Sequence, residues 1–162
     1  MSDSLAQHVH EAASRQDVRD AVARVHADLQ TEIDARRPIC SASGRCCRFE
    51  EYGHRLYVTT LELAAFVAGL PHEARPVSWD GTGCPFQVAR LCSVHPIRPF
   101  GCRMFFCDAT ATQWQNERYE QFHAELKRLH EALGVPYFYV EWRAALAALG
   151  LSGVATQNLS RT

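Results

Sequence analysis

Seven cysteines are the residues of this 162-residue chain whose type and spacing point to chemistry: Cys40, Cys46, Cys47, Cys84, Cys92, Cys102 and Cys107. The first 39 residues and the last 55 contain none. The pattern is Cys40-x5-Cys46-Cys47, then Cys84-x7-Cys92-x9-Cys102-x4-Cys107. Thiolates are soft ligands that suit zinc, copper(I) and iron–sulfur clusters. Seven in 162 is about 4%, below the ~8–10% of a short disulfide scaffold. An odd count without an export signal fits a reducing cytosol, where such clusters bind metal more often than they form bridges.

The spacing leaves several ligand sets open. Zinc knuckles use C-x2–4-C pairs, and only Cys102-x4-Cys107 has that gap. Cys92-Ser93-Val94-His95 gives a C-x2-H step, which makes His95 a candidate ligand in a mixed zinc site. Adjacent Cys46 and Cys47 point to opposite faces if the backbone is extended, so one is expected to ligate while the other packs or serves a second metal. Single cysteines on separate loops suit a cubane, whose irons are spread over a few ångströms, and Cys84-Pro85 matches the Cys-Pro step of ferredoxin sites. Arg45, Arg48, Arg90, Arg98 and Arg103 lie near these cysteines, where guanidinium charge lowers thiol pKa values.

The elements that must position these residues are helical on both flanks. Val18, Val22, Val25, Leu29 and Ile33 form one stripe that predicts a helix over 17–37, stopped by Pro38. Leu5, Val9, Ala12 and Ala13 extend it towards the N-terminus, with a break near 14–17. Tyr119, Phe122, Leu126, Leu129 and Leu133 predict a second helix from about Thr112, capped by Gly134. After Val135-Pro136, the apolar stretch from Tyr137 to Leu149 predicts another, ending at Gly150.

Between the flanks, Thr59-Thr60-Leu61-Glu62 fits a capping box that opens a short helix closed by Gly69. Arg55–Val58 and Arg90–Val94 read as short strands, and Asp80–Gly83 as a turn. So long a loop-rich segment needs another constraint, which bound metal supplies. The expected fold is one mainly α domain. Helical flanks over 4–37 and 111–150 pack around an irregular, metal-ordered segment at 38–110 with at most a small β-hairpin, and the tail at 151–162 frays.

Composition excludes other classes. A net charge of −1 argues against nucleic-acid binding through phosphate neutralisation. No apolar run reaches the ~18 residues of a membrane span, and the N-terminus lacks a signal-peptide pattern, so a cytoplasmic location is expected. No nucleophile elbow, P-loop, dinucleotide loop or H-E-x-x-H motif identifies an enzyme. His123 and His130 are read as helix-surface histidines, His54 as a reserve ligand, and Glu50 and Glu51 as members of a solvated turn.

Three segments, taken in order, carry a resemblance: 39–49 with Cys40, Cys46 and Cys47; Gly83-Cys84-Pro85-Phe86; and 91–105 with Cys92, Arg98-Pro99 and Cys102-Arg103. Together they resemble the YkgJ-type cysteine-cluster family, described as a zinc- or iron-chelating domain. That family is similar to the cysteine-rich part of flagellin lysine methylases, which are associated with an iron–sulfur cluster. The likeness spans about residues 38–107. Ser43 stands where the fuller opening motif has its second cysteine, so a four-sulfur site must recruit from the later block. Phe106 stands where a proline often precedes the last cysteine. The resemblance implies Cys40, Cys46, Cys47, Cys84, Cys92 and Cys102 as the cluster, with Cys107 beside them.

The leading expectation is therefore a [4Fe–4S] cluster held by four of the seven cysteines, in a redox or accessory role. One alternative is a structural zinc module, using four cysteines or three with His95, that serves a protein partner. A disulfide redox protein is the third reading, and it lacks the C-x-x-C step on a βαβ pattern that would support it.

Overall fold

The computed structural model describes residues 2–40 and 43–153. Seven α-helices dominate these residues, joined by two two-stranded sheets, so the fold is mainly α. Most of the expected tail, from residue 154 onward, lies outside the described residues.

Helices α1 (Ser2–Ala13) and α2 (Gln16–Arg36) are separated at Ser14–Arg15, where the Ser14 hydroxyl donates to the Glu11 carbonyl at 2.7 Å. Helix α2 buries Val18, Ala21, Val22, Val25 and Leu29, and Arg37 caps it in the left-handed region, φ 53°, just before Pro38. A short α3 (Phe49–Tyr52) leads through Gly53 to strand β1 (Tyr57–Thr59) and then α4 (Thr60–Gly69). The capping box is present: the Thr59 side chain accepts from the Glu62 amide, while the Glu62 carboxylate accepts from the Thr59 amide at 2.7 Å. Helix α4 buries residues on every side and is the central element, against which α1 and α2 pack.

Strands β2 (Gln87–Val88) and β3 (Leu91–Cys92) form a hairpin with Gln87 opposite Cys92. Its two-residue turn has positive φ at both Ala89 (49°) and Arg90 (67°), the requirement of a type I′ turn. Helix α5 (Phe100–Arg103) precedes α6 (Thr112–Leu133), which Gly134 closes at φ 62°.

The helix expected over 137–149 is corrected. Its first part is strand β4 (Tyr139–Glu141), antiparallel to β1 with Val58 opposite Val140, and only Trp142–Ala148 is helical, as α7. Aromatic and β-branched residues at 137–140 favour a pleated edge. The Thr60 hydroxyl fixes the approach, donating to the Pro136 carbonyl at 2.8 Å and accepting from the Phe138 amide at 3.0 Å. Both β1 and β4 therefore run directly into helices, and Glu141 caps α7 by accepting from the Ala144 amide at 2.9 Å.

The largest apolar cluster joins Leu5 and Val9 of α1, Leu63 and Phe66 of α4, Phe86, and Trp142, Ala145 and Leu146 of α7. Cys84, Cys92 and Cys102 pack against its side. A second cluster links α1, α2 and α4 through Val18, Val22 and Leu61, and a third links α2 to α6 through Leu29, Phe122 and Leu126. His130 is buried in α6, its Nδ1 3.0 Å from the Val135 carbonyl, so the surface reading of this histidine is corrected.

Candidate metal centre

Gly44 starts the site. At φ 72° it lies in the left-handed region, and a Cβ there would collide with the Arg90 carbonyl and the Gln87 side chain. The turn it makes admits a single 3-10 turn at Arg45–Cys47, in which the Cys47 amide donates to the Gly44 carbonyl at 3.2 Å. Cys46 and Cys47 are thus not in extended backbone, and their Sγ atoms lie 4.0 Å apart in one pocket. The expectation that they face opposite ways is corrected, because a helical turn rotates successive side chains by about 100–120° rather than 180°.

The second segment docks through the backbone. The Cys84 amide donates to the Cys47 carbonyl at 2.8 Å, and Gly83, at φ 61°, approaches so closely that a Cβ would lie 2.7 Å from that same carbonyl oxygen. The Glu50 carboxylate accepts from the Gly83 amide at 2.7 Å and from Arg143 of α7. Glu50 sits exposed on its turn, as expected, and in addition ties three segments together. The hairpin brings in Cys92, since Gln87, opposite it, follows Cys84 by one turn and donates through Nε2 to the Gly44 carbonyl at 3.0 Å. Cys102 arrives on α5, whose first amide, at Phe100, donates to the buried Glu62 carboxylate at 3.0 Å.

Cys47 is the thiol that the others act on most: its Sγ lies 4.0 Å from that of Cys46, and Cys84 and Cys92 are close enough to shift its titration. As donor, its own pKa is driven up, first by Cys46 and then by Cys84 and Cys92. Its neighbours are held down by the same contacts, Cys46 to about 6 and Cys92 to about 7, with Arg98 acting in the same direction on both. Cys84 is lowered too, by the Cys47 thiol and further by the Trp142 indole, whose Nε1–H donates to its Sγ at 3.3 Å. Cys102 is held well above the ordinary thiol range, mainly by burial, then by Cys84, Cys46 and Cys92. Five cysteines from four segments thus share one electrostatic neighbourhood.

Cys40 and Cys107 are not in that group. Both are exposed and line the mouth of a cavity of about 130 Å³ that reaches Cys46, Cys47 and Cys92. Cys107 Sγ lies 3.8 Å from the Ser43 hydroxyl and faces Arg45. His95 lies at the same mouth, its Nε2 in close contact with the Arg98 guanidinium. His54 lies near Cys46, but its Nε2 is directed to the Cys46 carbonyl at 3.2 Å while its ring stacks on Phe105. Among the expected arginines, Arg98 acts on the grouped thiols. Arg48 pairs with Glu51 and lies over the Tyr52 ring, and Arg103 donates to the carbonyls of Arg98 and Pro96.

Among the described residues, no group of three or more His, Cys, Asp or Glu has the geometry to hold a single metal ion. Sequence reasoning missed Trp142, Arg143 and Glu50 as parts of the site. For Trp142 no local signal exists, because it is 58 residues from Cys84 and its apolar neighbours suggest core packing alone. Gly44 and Gly83, each next to or near a cysteine, were the readable signals of close backbone approach.

No family model, curated protein or solved structure matches the chain. None of the helices among the described residues is long and apolar enough to cross a membrane.

Proposed function

We propose that this chain is a metal-binding cysteine-cluster protein of the YkgJ type, working in the reducing cytosol and holding a [4Fe–4S] cluster. Cys46, Cys47, Cys84 and Cys92 are the proposed ligands. The observation that carries the reading is the convergence of these residues: Cys46 and Cys47 Sγ lie 4.0 Å apart on one turn, the Cys84 amide is bonded to the Cys47 carbonyl, and Cys92 of the hairpin lines the same cavity as Cys46 and Cys47.

The donor set fits such a group. It is all sulfur, the form preferred by iron–sulfur clusters, and Cys46, Cys84 and Cys92 are shifted towards thiolate. Trp142 supplies an N–H to one sulfur, the kind of outer contact that orients a ligand and tunes a cluster. Arg98 supplies positive charge next to thiolates whose sum is negative. When bound, the cluster supplies one-electron chemistry or a structural staple. The chain's own contribution is to fix four sulfurs on loops that bury little apolar surface themselves. Cys102 serves as a fifth thiol behind the four, and Cys40, Cys107 and His95 line the approach.

The second reading is a zinc staple on the same four cysteines: only Cys46 and Cys47, with Sγ 4.0 Å apart, stand as a ligand pair, and Cys84 and Cys92 would have to close on the ion as it binds. Purification without oxygen, followed by elemental analysis and a visible spectrum, separates the two. A brown protein with iron and sulfide in equal amounts supports the cluster, a colourless one with stoichiometric zinc selects the staple, and a metal-free protein overturns both.

A further inference from the structure

Cys40 and Cys107, the two cysteines outside the grouped thiols, are both exposed and line one cavity mouth. We propose that they form a reversible disulfide, a redox modification site whose oxidant is a low-molecular-weight disulfide such as glutathione disulfide. Neither is among the proposed ligands, so the pair stands or falls separately from the metal.

The juxtaposition comes from three ties between two segments distant in sequence. The Arg36 guanidinium donates to the Thr110 carbonyl at 2.9 Å, and the Ile39 amide donates to the Asp108 carboxylate at 3.1 Å. The third tie is the Ser43 hydroxyl, 3.8 Å from Cys107 Sγ. As the first segment advances from 36 to 43, its partner retreats from 110 to 107. Cys40 directly follows Ile39, so it falls between the tie to Asp108 and the tie to Cys107 itself. Asp108 is a firm anchor: it is buried, and its other carboxylate oxygen accepts from the Thr110 amide at 3.0 Å and hydroxyl at 2.6 Å. Neither thiol belongs to an apolar cluster, so turning the two side chains into disulfide geometry disturbs no core packing.

The surroundings suit thiol–disulfide exchange. The Arg45 guanidinium faces Cys107, and exposed cysteines beside a cation are the ones that react. Cys107 Sγ, as thiolate, attacks one sulfur of glutathione disulfide; that S–S bond breaks, one glutathione thiolate leaves, and a mixed disulfide forms. Cys40 then gives up its proton and attacks Cys107 Sγ, expelling the second glutathione. The two cysteines lose two electrons and two protons, and glutathione disulfide gains both as two thiols. The new bond spans the mouth of the cavity that reaches Cys46, Cys47 and Cys92.

The test equilibrates the full chain, its metal content measured beforehand, in glutathione buffers of increasing disulfide content, then blocks free thiols and maps tryptic peptides by mass spectrometry. Trypsin leaves Cys40 alone on the peptide 37–45 and Cys107 alone on 104–118, so their cross-link is unambiguous. Two tethered thiols have an effective concentration in the millimolar range. With reduced glutathione held at about 0.1 mM, the cross-link is therefore expected to exceed the Cys107–glutathione adduct by at least about tenfold, and excess reduced glutathione is expected to reopen it. In Cys40→Ser the adduct is expected to accumulate instead. A wild-type chain that accumulates the adduct without the cross-link, or stays reduced throughout, overturns the proposal. So does Cys107 joined to the peptides 46–48 or 91–103 in place of 37–45.

Discussion

The indole of Trp142 and the thiol of Cys84 are joined by an N–H···S bond of 3.3 Å, linking the C-terminal helix to the cysteine loops. Trp142 is fully buried, with Phe66 edge-on at 4.9 Å and Phe86 at 6.2 Å, so one side chain serves the core and the proposed metal centre together. Trp142→Phe keeps a ring in the core and removes only the donor. A donor to a ligating sulfur stabilises its electron-rich state, so its loss is expected to shift the cluster's reduction potential to more negative values. Potentiometry on the metal-loaded variant measures this, and an unchanged potential would show that the bond does not tune the site.

Position within the site separates the cysteines. Cys84→Ser is expected to lose metal and to unfold at lower temperature, because ligand binding energy here is folding energy. Cys107→Ser, at an exposed cysteine outside the group, is expected to keep both the metal and the melting temperature. Metal analysis and thermal unfolding of the two variants in parallel check the assignment. Equal loss in both would move Cys107 into the ligand set.

Gly83→Ala tests the backbone contact on which Cys84 depends. The left-handed conformation costs a residue with a Cβ about 1–2 kcal/mol, and the added carbon would lie 2.7 Å from the Cys47 carbonyl oxygen. The 2.8 Å bond from the Cys84 amide to that carbonyl cannot survive the displacement. Reduced metal occupancy with a largely native helical circular-dichroism spectrum is the expected result. Full occupancy would show that the loop accommodates the methyl group.

Glu62 makes stability depend on pH. Burial lifts its carboxyl from 4.5 to about 7, against the opposing bonds from the Thr59 and Phe100 amides. The native state therefore holds a proton that the unfolded chain releases near its ordinary pKa. The stability this confers is complete below that ordinary value and is lost as pH rises through about 7, on the order of 3 kcal/mol across the window. In Glu62→Gln the amide nitrogen faces one of two backbone donors, which costs about 1–3 kcal/mol and removes the titration. Denaturant unfolding at about pH 5 and about pH 8 is expected to show a larger wild-type advantage at the lower pH. An advantage of the same size at both would locate the pH dependence elsewhere.

Much of the frame was legible in the residues. The stripes at Val18–Ile33 and Tyr119–Leu133, the capping box at Thr59 and the stop at Gly134 are local signals, and each appears as a helix with the expected end. The concentration of thiols was equally plain. Local rules misled at 137–140, where apolar spacing alone does not distinguish helix from strand and pairing with β1 decided the outcome. They misled again at Cys46–Cys47, where Gly44 turns the chain into a 3-10 turn.

Sequence by itself determined the mainly helical class and the span in which the thiols are concentrated, because helix periodicity and side-chain type are properties of neighbouring residues. Only tertiary structure decided that Cys46, Cys47, Cys84, Cys92 and Cys102 come together while Cys40 and Cys107 stay outside. The same is true of Trp142 and Glu50, which complete the site from other elements. The physical reason is that loop convergence depends on bonds between segments tens of residues apart, whose energies no local pattern encodes.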